Sequence, residues 1–436
     1  MRSYHHFRIN HPHDFLPRLL AWCTQRNENI ALLNSNGYQP QTFDALAAIG
    51  STTSFSCSYA EKEGALEKLD AFQQQHRDWM FGFLSYDVKD SIEDGSNIHQ
   101  PHPPVPLIHF FIPTWLIRIQ GTDVEIGVAE NSTAASAEEV FDQISRTEPL
   151  QSSWPENMRM QCRMPRDTYR KQAETIIDHI RRGDIYEMNF CQEFYNEHMQ
   201  LDAPAAFLHL SEHAPSPFSA YYKTGDLHVL SSSPERYLKR EGEMLISQPM
   251  KGTIRKGKDK AEDNELIDVL RLSRKEQSEN VMIVDLVRND LSRIQGAVNV
   301  KVDELFGIQS FPRVHQMVST ISATLNETVS LGECIRATFP MGSMTGAPKI
   351  RAMELIDRYE ATGRGLYSGA LGYVDPEGNF DFNVMIRTLL YHADSGYTSL
   401  STGSALTIQA NIETEYEECL LKASSVLNSP PECKST

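Results

Sequence analysis

Short apolar runs and amphipathic segments alternate along the whole chain, which predicts a protein of mixed strands and helices. Three observations carry that reading. The chain has 436 residues, 40% hydrophobic and 23% charged, enough for two domains or one large one with an ordinary globular surface. Around Tyr169, Ala173, Ile176, Ile177 and Ile180 the apolar positions recur at helical spacing. Near the C-terminus three β-rich runs follow one another, Tyr367 to Tyr373, Phe380 to Leu390 and Tyr397 to Leu406. A polar, Pro-containing stretch from Arg146 to Met164 divides a first domain, residues 1–150, from a second, residues 160–430.

Taken in order, the first domain opens with His5, His6, His11 and His13. They suggest a metal site or, on a mobile terminus, solvated side chains. Phe15 to Cys23 has helical periodicity, Ile30 to Leu33 is a short apolar run, and Glu61 to His76 reads as a surface helix. Trp79 to Asp87 reads as a buried strand, and Leu107 to Ile119 as another after a stiff loop of prolines. In the second domain Asp167 and Thr168 cap a helix that stops at Gly183. Strands are expected in Gly183 to Phe194 and Pro217 to Tyr222, and Ser231 to Leu238 is a turn leading into another. A β-branched run follows His315. The loop Gly342 to Lys349 precedes a helix, with Pro348 suited to its first turn. That loop can offer free N–H groups to an anion, but its lysine is displaced and no Ser/Thr follows, so a nucleotide triphosphate is excluded.

Composition narrows the function. A net charge of −17 argues against nucleic acid as a partner, while leaving room for a small anion in a local Arg/Lys pocket. The seven cysteines (23, 57, 162, 191, 334, 419 and 433) are scattered and outside CxxC spacing, which suggests reduced thiols and neither a disulfide framework nor zinc. No segment has transmembrane length and Met1 to Pro12 lacks an apolar signal core, so a soluble, cytoplasmic protein with no membrane partner is expected.

The most informative stretch runs from Gln248 to Ile294. Lys251 lies between Pro249 and Gly252, in an irregular turn where backbone can approach a ligand. Further on, Glu276 and Glu279 share one face of a helix whose middle is apolar. Such acids mark either a solvated helix start or a site that meets a cation. In the last helix Glu415, Glu418 and Lys422 also share a face.

The ordered motifs GDIYEMNFCQEF, SSSPER, PMKGT, ENVMIVDLVRND, VHQMVSTI, FPMGSMTGAPKIRAMELID, SGALGY and DFNVMIRTLLY resemble those of the chorismate-utilising enzymes. That family includes anthranilate synthase component I, aminodeoxychorismate synthase component I and isochorismate synthase. The resemblance is dense from Met164 to Leu427 and faint before, mainly through GFLSYD at residues 82–87. It implies an α+β fold, a large core of antiparallel sheets with helices packed outside and the first domain partly continuous with it.

The family resemblance also implies roles. Mg²⁺ would lie between Glu279, Glu418 and a chorismate carboxylate, with Glu276 and Glu415 nearby. Arg387 would pair with the other carboxylate; Tyr367, Ser343, Gly346, Gly403 and Thr253 would line the substrate site. Ala405 stands where the family has a second glycine. Glu235 resembles the general acid/base for loss of the 4-hydroxyl, and His315 the histidine beside that hydroxyl or else a structural one. Lys251 resembles the lysine of the aminodeoxychorismate synthases, where anthranilate synthases usually have alanine. It would be a nucleophile, its pKa lowered by desolvation, or a cation that binds a substrate carboxylate.

The implied activity is amination of chorismate at C4, for 4-aminobenzoate and folate synthesis. No glutamine amidotransferase motif and no lyase domain are recognisable, so a separate amidotransferase subunit would supply ammonia and another enzyme would eliminate pyruvate. The rivals are anthranilate synthase component I, disfavoured by Lys251, an isochorismate or salicylate synthase, and a non-catalytic amidotransferase partner. Residues 31–35, ALLNS, only echo the LLES inhibitor signature, so no tryptophan site is assigned.

Overall fold

A computed structural model describes residues 2–38, 42–93, 99–130, 134–156, 158–311 and 314–433. Pro312 and Arg313 of the motif before His315 lie outside the described residues. Two large sheets organise the chain, one of 12 strands and one of 10, and the named strands pair antiparallel throughout. The expected α+β fold is therefore present.

Alternation along the strands explains the layers. Ala31, Leu46, Ala48 and Leu116 of the larger sheet face Phe81, Phe83, Phe111 and Leu371 of the smaller one in a shared core. The opposite side chains, such as Ile30, Leu32 and Ala47, pack under the helices Pro12–Thr24, Ala137–Arg146 and Ala203–His213. On the far side of the smaller sheet, Met80 and Leu84 meet the helices Ala65–His76, Arg274–Ser292 and Leu331–Thr338. The order is helices, sheet, sheet, helices. Both sheets combine strands from before residue 150 with strands from after 160.

Several expectations need correction. Leu107 to Ile119 is two strands, Ile108–Ile112 in the smaller sheet and Trp115–Gln120 in the larger, separated at Pro113, which cannot donate to a ladder. Phe380 to Leu390 likewise divides into Phe380–Val384 and Thr388–His392, on different sheets. Apolar periodicity reports a buried strand and is blind to which sheet buries it. His5 and His6 lie on the edge strand Arg2–Arg8, against Glu138 and Glu125, rather than on a mobile terminus. The helix expected to be capped by Asp167 and Thr168 begins at Arg166 after Pro165, and Pro348 is the N-cap of Lys349–Tyr359 rather than part of its first turn.

The cysteines also differ. Cys162 and Cys433 form a disulfide, 271 residues apart in sequence with Cα atoms 4.9 Å apart. Pairing of Gln161–Cys162 with Tyr195 and Phe194, and a bridge from Gln161 to Glu432, bring them together; spacing along the chain carries no trace of this. Cys23, Cys57, Cys191, Cys334 and Cys419 are free and buried.

Lys349, the lysine of the glycine-rich loop, is committed to structure. Its Nζ donates to Asp290 on the neighbouring helix and to the Thr338 carbonyl, with both ion-pair partners almost fully buried. Asp290→Ala leaves that ammonium buried and unpaired, and is expected to cost about 3–5 kcal/mol in urea denaturation. In Lys349→Met/Asp290→Leu much of the loss should return; equal losses in the single and double variants would show the pair to be unimportant.

Candidate active site

The site assembles where the chain crosses between the sheets. Leu227–Ser233 belongs to the larger sheet and Arg236–Glu241 to the smaller, so Glu235 sits on the crossing. Val384 N–H donates to the Glu235 carbonyl at 3.0 Å, tying this crossing to the one that carries Arg387. Arg387 has φ +50°, a left-handed backbone uncommon outside glycine.

Glu235 is buried, and Ser343 Oγ donates to its Oε1 at 2.7 Å. Burial lifts its pKa from 4.5 to about 7, against the Ser343 hydrogen bond, Lys251 and Arg387. A carboxyl near neutrality can give and take protons, as an acid/base group must. Arg387 is half-buried, and burial holds its pKa below the ordinary value, opposed only in part by Glu235.

Lys251 lies on the strand Met250–Arg255 rather than in the expected turn, although a register shift interrupts pairing between Met250 and Thr253. Gly252 has φ +86°, and a Cβ there would come within 2.8 Å of Glu276 Oε2, so the site requires glycine. Lys251 Nζ donates to Glu187 Oε1 at 2.8 Å. Burial works against its charge, but Glu187 above all, then Glu279 and Glu235, hold its pKa above the ordinary lysine value. The expected lowering is thus reversed.

Glu187 is the important residue that sequence reasoning passed over. It begins the strand Glu187–Asn196, opposite Thr407 and Ala347, and is 1% exposed. Its Oε2 is buried without a hydrogen-bond partner among the described residues. The signal was available: an acid inside the apolar run IYEMNF is costly unless paired.

Two helices bring the remaining acids. Ser273 caps Arg274–Ser292, accepting from the Glu276 N–H at 3.4 Å, so Glu276 and Glu279 lie in its first turns. Asn411 caps Ile412–Leu427, which carries Glu415 and Glu418. Lys275 links the sets: burial opposes its charge, but Glu279, Glu415, Glu276 and Glu418 all raise its pKa. Burial raises Glu279 to about 7, Lys251 opposing it. Lys422 pairs with Glu418 at 2.7 Å and donates to the Gly403 carbonyl at 2.8 Å. Among the described residues no three His, Cys, Asp or Glu side chains converge as a ready metal cage. Glu276, Glu279, Glu415 and Glu418 all act on Lys275, which lies 3.8 Å from Glu279, while Lys422 pairs with Glu418.

The other sequence candidates are placed as follows. A Cβ on Gly403 would come within 2.7 Å of Asn189 Oδ1 and 3.1 Å of Tyr367 O–H, a close approach that excludes a side chain. Ala405, on the same strand as Gly403, pairs across the ladder with Asn189 of Glu187–Asn196. Gly346 packs on the Glu187 carbonyl. Thr253 is exposed and accepts from Gln316 at 3.4 Å. His315 is fully buried, its Nδ1 2.8 Å from Ser310 Oγ and its Nε2 2.8 Å from Asp263 Oδ1. Leu33, Asn34 and Ser35 line a cavity with Phe43, Phe218 and Asp381.

A family model described as chorismate binding enzyme matches residues 29–428, and the chain belongs to that family. Aminodeoxychorismate synthase, chloroplastic, of Arabidopsis thaliana is 36% identical over 397 residues, 86% of this chain and 42% of that protein. Aminodeoxychorismate synthase component 1 of Escherichia coli is 38% identical over 278 residues, 64% of this chain and 59% of that protein. The chain spans about half the length of these relatives. Its fold is shared with the menaquinone-specific isochorismate synthase of Escherichia coli (TM-score 0.77, 18% identity, 98% of this chain and 94% of that one). Anthranilate synthase component I of Streptococcus pneumoniae also shares it (TM-score 0.74, 22% identity, 92% and 93% covered).

The raised Glu235 carboxyl has a consequence for stability. The folded chain holds a proton there that the unfolded chain releases between about pH 4.5 and 7. This contribution is complete below the lower value and lost as pH rises through the upper one. Glu235→Gln, neutral throughout, should gain about 1–3 kcal/mol over the parent at about pH 8, the gain fading towards pH 4.5. Urea denaturation at the two pH values tests this, and a pH-independent difference would contradict it.

Proposed function

We propose that the chain aminates chorismate at C4 to give 4-amino-4-deoxychorismate, in 4-aminobenzoate and folate synthesis. The observation that carries this reading is Lys251, set between Glu187, Glu279 and Glu235 in a chain of the chorismate-binding family. The aminodeoxychorismate synthases among its relatives support the same reading.

In this reading Arg387 binds one substrate carboxylate through paired N–H donors. Glu279 and Glu418, with Glu276 and Glu415 beside them, would hold Mg²⁺, which when bound orients and polarises the other carboxylate. Lys251 attacks C2 as its free amine. The C4 hydroxyl departs as water with a proton from Glu235, held for that purpose by Ser343. Tyr367 and Gly403 would form a close-fitting wall, with Gly346 and Thr253 completing the substrate site; His315, fully buried with both ring nitrogens engaged, fits the structural alternative. Ammonia adds at C4 and expels the lysine. A separate glutamine amidotransferase subunit supplies that ammonia, and the reaction takes place in the cytoplasm. No helix among the described residues is long and apolar enough to cross a membrane.

Purified chain, incubated with chorismate, Mg²⁺ and excess ammonium salt, is expected to form a product that retains the enolpyruvyl group. Mass spectrometry should show 4-aminobenzoate only after a lyase is added, and glutamine should not replace ammonium. Anthranilate with free pyruvate would instead establish amination at C2 and overturn the assignment. Lys251→Ala should reduce C4 amination by at least about 100-fold.

A further inference from the structure

The proposed chemistry needs a neutral amine at Lys251, yet the resting site keeps it charged. The group responsible is the nearest one: Glu187 Oε1 is 2.8 Å from Nζ, with Lys251 12% exposed and Glu187 1% exposed. The other acids that face Lys251 have further commitments. Glu235, from the sheet crossing, accepts from Ser343. Glu279, from the helix Arg274–Ser292, is near Lys275, and Glu418, from Ile412–Leu427, is paired with Lys422. Glu187 has one oxygen on Lys251 and the other buried without a donor.

We propose that Glu187 is the positioning residue and proton acceptor of Lys251, taking the Nζ proton onto its carboxylate so that the amine can attack. The inference rests on the nucleophilic reading of Lys251 given above. An ion pair shut off from water loses much of its advantage over the neutral acid–amine pair, and a substrate that covers Nζ removes the remaining solvent. The unpartnered Oε2 works in the same direction, because charge on that carboxylate is supported through one oxygen only.

The steps balance. The Nζ proton moves to Glu187. The Nζ–C2 bond forms as the C4–O bond breaks, and Glu235 protonates the departing hydroxyl to water. The nitrogen of ammonia bonds to C4 as the Nζ–C2 bond breaks. The new ammonium group returns a proton to Glu235, and Glu187 returns its proton to Nζ. Chorismate and ammonia become aminodeoxychorismate and water, with no redox partner.

The test compares initial rates of wild type, Glu187→Gln and Glu187→Ala between about pH 7 and 9, with free ammonia held constant. Glu235 must carry its proton in wild type and variant alike, so its titration near pH 7 bends both profiles in the same way and the ratio of variant to wild type isolates Glu187. Glu187→Gln keeps a hydrogen-bond acceptor but cannot store the proton, so the proton must go to solvent. Relative to wild type its rate should be at least about 100-fold lower at pH 7, the ratio climbing about tenfold per pH unit. Added formate should restore part of the rate of Glu187→Ala. Thermal melts identify any variant that is merely unfolded; the pH profile decides if only Glu187→Gln folds, and formate rescue decides if only Glu187→Ala does.

A Glu187→Gln profile parallel to wild type and within about threefold of it overturns the proposal, as does a change confined to the KM for chorismate. Absence of formate rescue in folded Glu187→Ala overturns it as well. If wild type itself makes no C4-aminated product, the functional reading fails and this inference with it. If wild type is active and the variants run parallel, only the role of Glu187 fails.

Discussion

The constraint on which the site depends is topological: the chain must pass between two stacked sheets without leaving buried backbone groups unpaired. At each crossing the ladder ends and its hydrogen bonds must be replaced locally. The serines of SSSPER supply such replacements. Ser233 Oγ donates to the Val384 carbonyl at 2.6 Å, and Ser231 Oγ accepts from Thr388 Oγ1 at 2.9 Å. These bonds join the crossing that carries Glu235 to the one that carries Arg387. Glu235 and Arg387 therefore sit on backbone that neither sheet can straighten. Side chains held this way need little reorganisation when substrate arrives.

Around that rigid centre the electrostatics are arranged in pairs. Lys251 faces Glu187, Lys422 faces Glu418, and Lys275 lies in the field of acids from two helices. Each lysine offsets carboxylates that would otherwise repel one another across a short gap. Lys251 differs from the others in being almost enclosed, and its partner Glu187 is still more deeply buried.

Much of this was legible in the residues. Local periodicity located the helix around Tyr169 and the strands Phe218–Thr224 and Tyr397–Thr407 because each has one buried face. Motif order identified Glu235, Lys251 and the glutamates, and the structure brings these together. Partnership over distance was not legible. Nothing near Lys251 in sequence announces Glu187, 64 residues away, as its counter-ion, so the direction of its pKa shift was misjudged. The disulfide escaped notice for the same reason, since only the pairing of Gln161–Cys162 and the bridge at Glu432 make its cysteines neighbours. The split of two apolar runs between sheets was hidden because a buried strand looks the same in either.

The order of strands in the larger sheet has a consequence during synthesis. Thr388–His392 and Tyr397–Thr407, among the last strands made, lie between Leu227–Ser233 and Glu187–Asn196. Until they leave the ribosome, the sheet is in two parts with a bare edge on each. Those edges hold apolar, hydrogen-bond-hungry backbone, the kind of surface that seeks a strand from a neighbouring chain. The nascent polypeptide thus carries both edges from the synthesis of Ser233 until residues 388–407 are made, an interval over which holdases that cover extended segments would shield it.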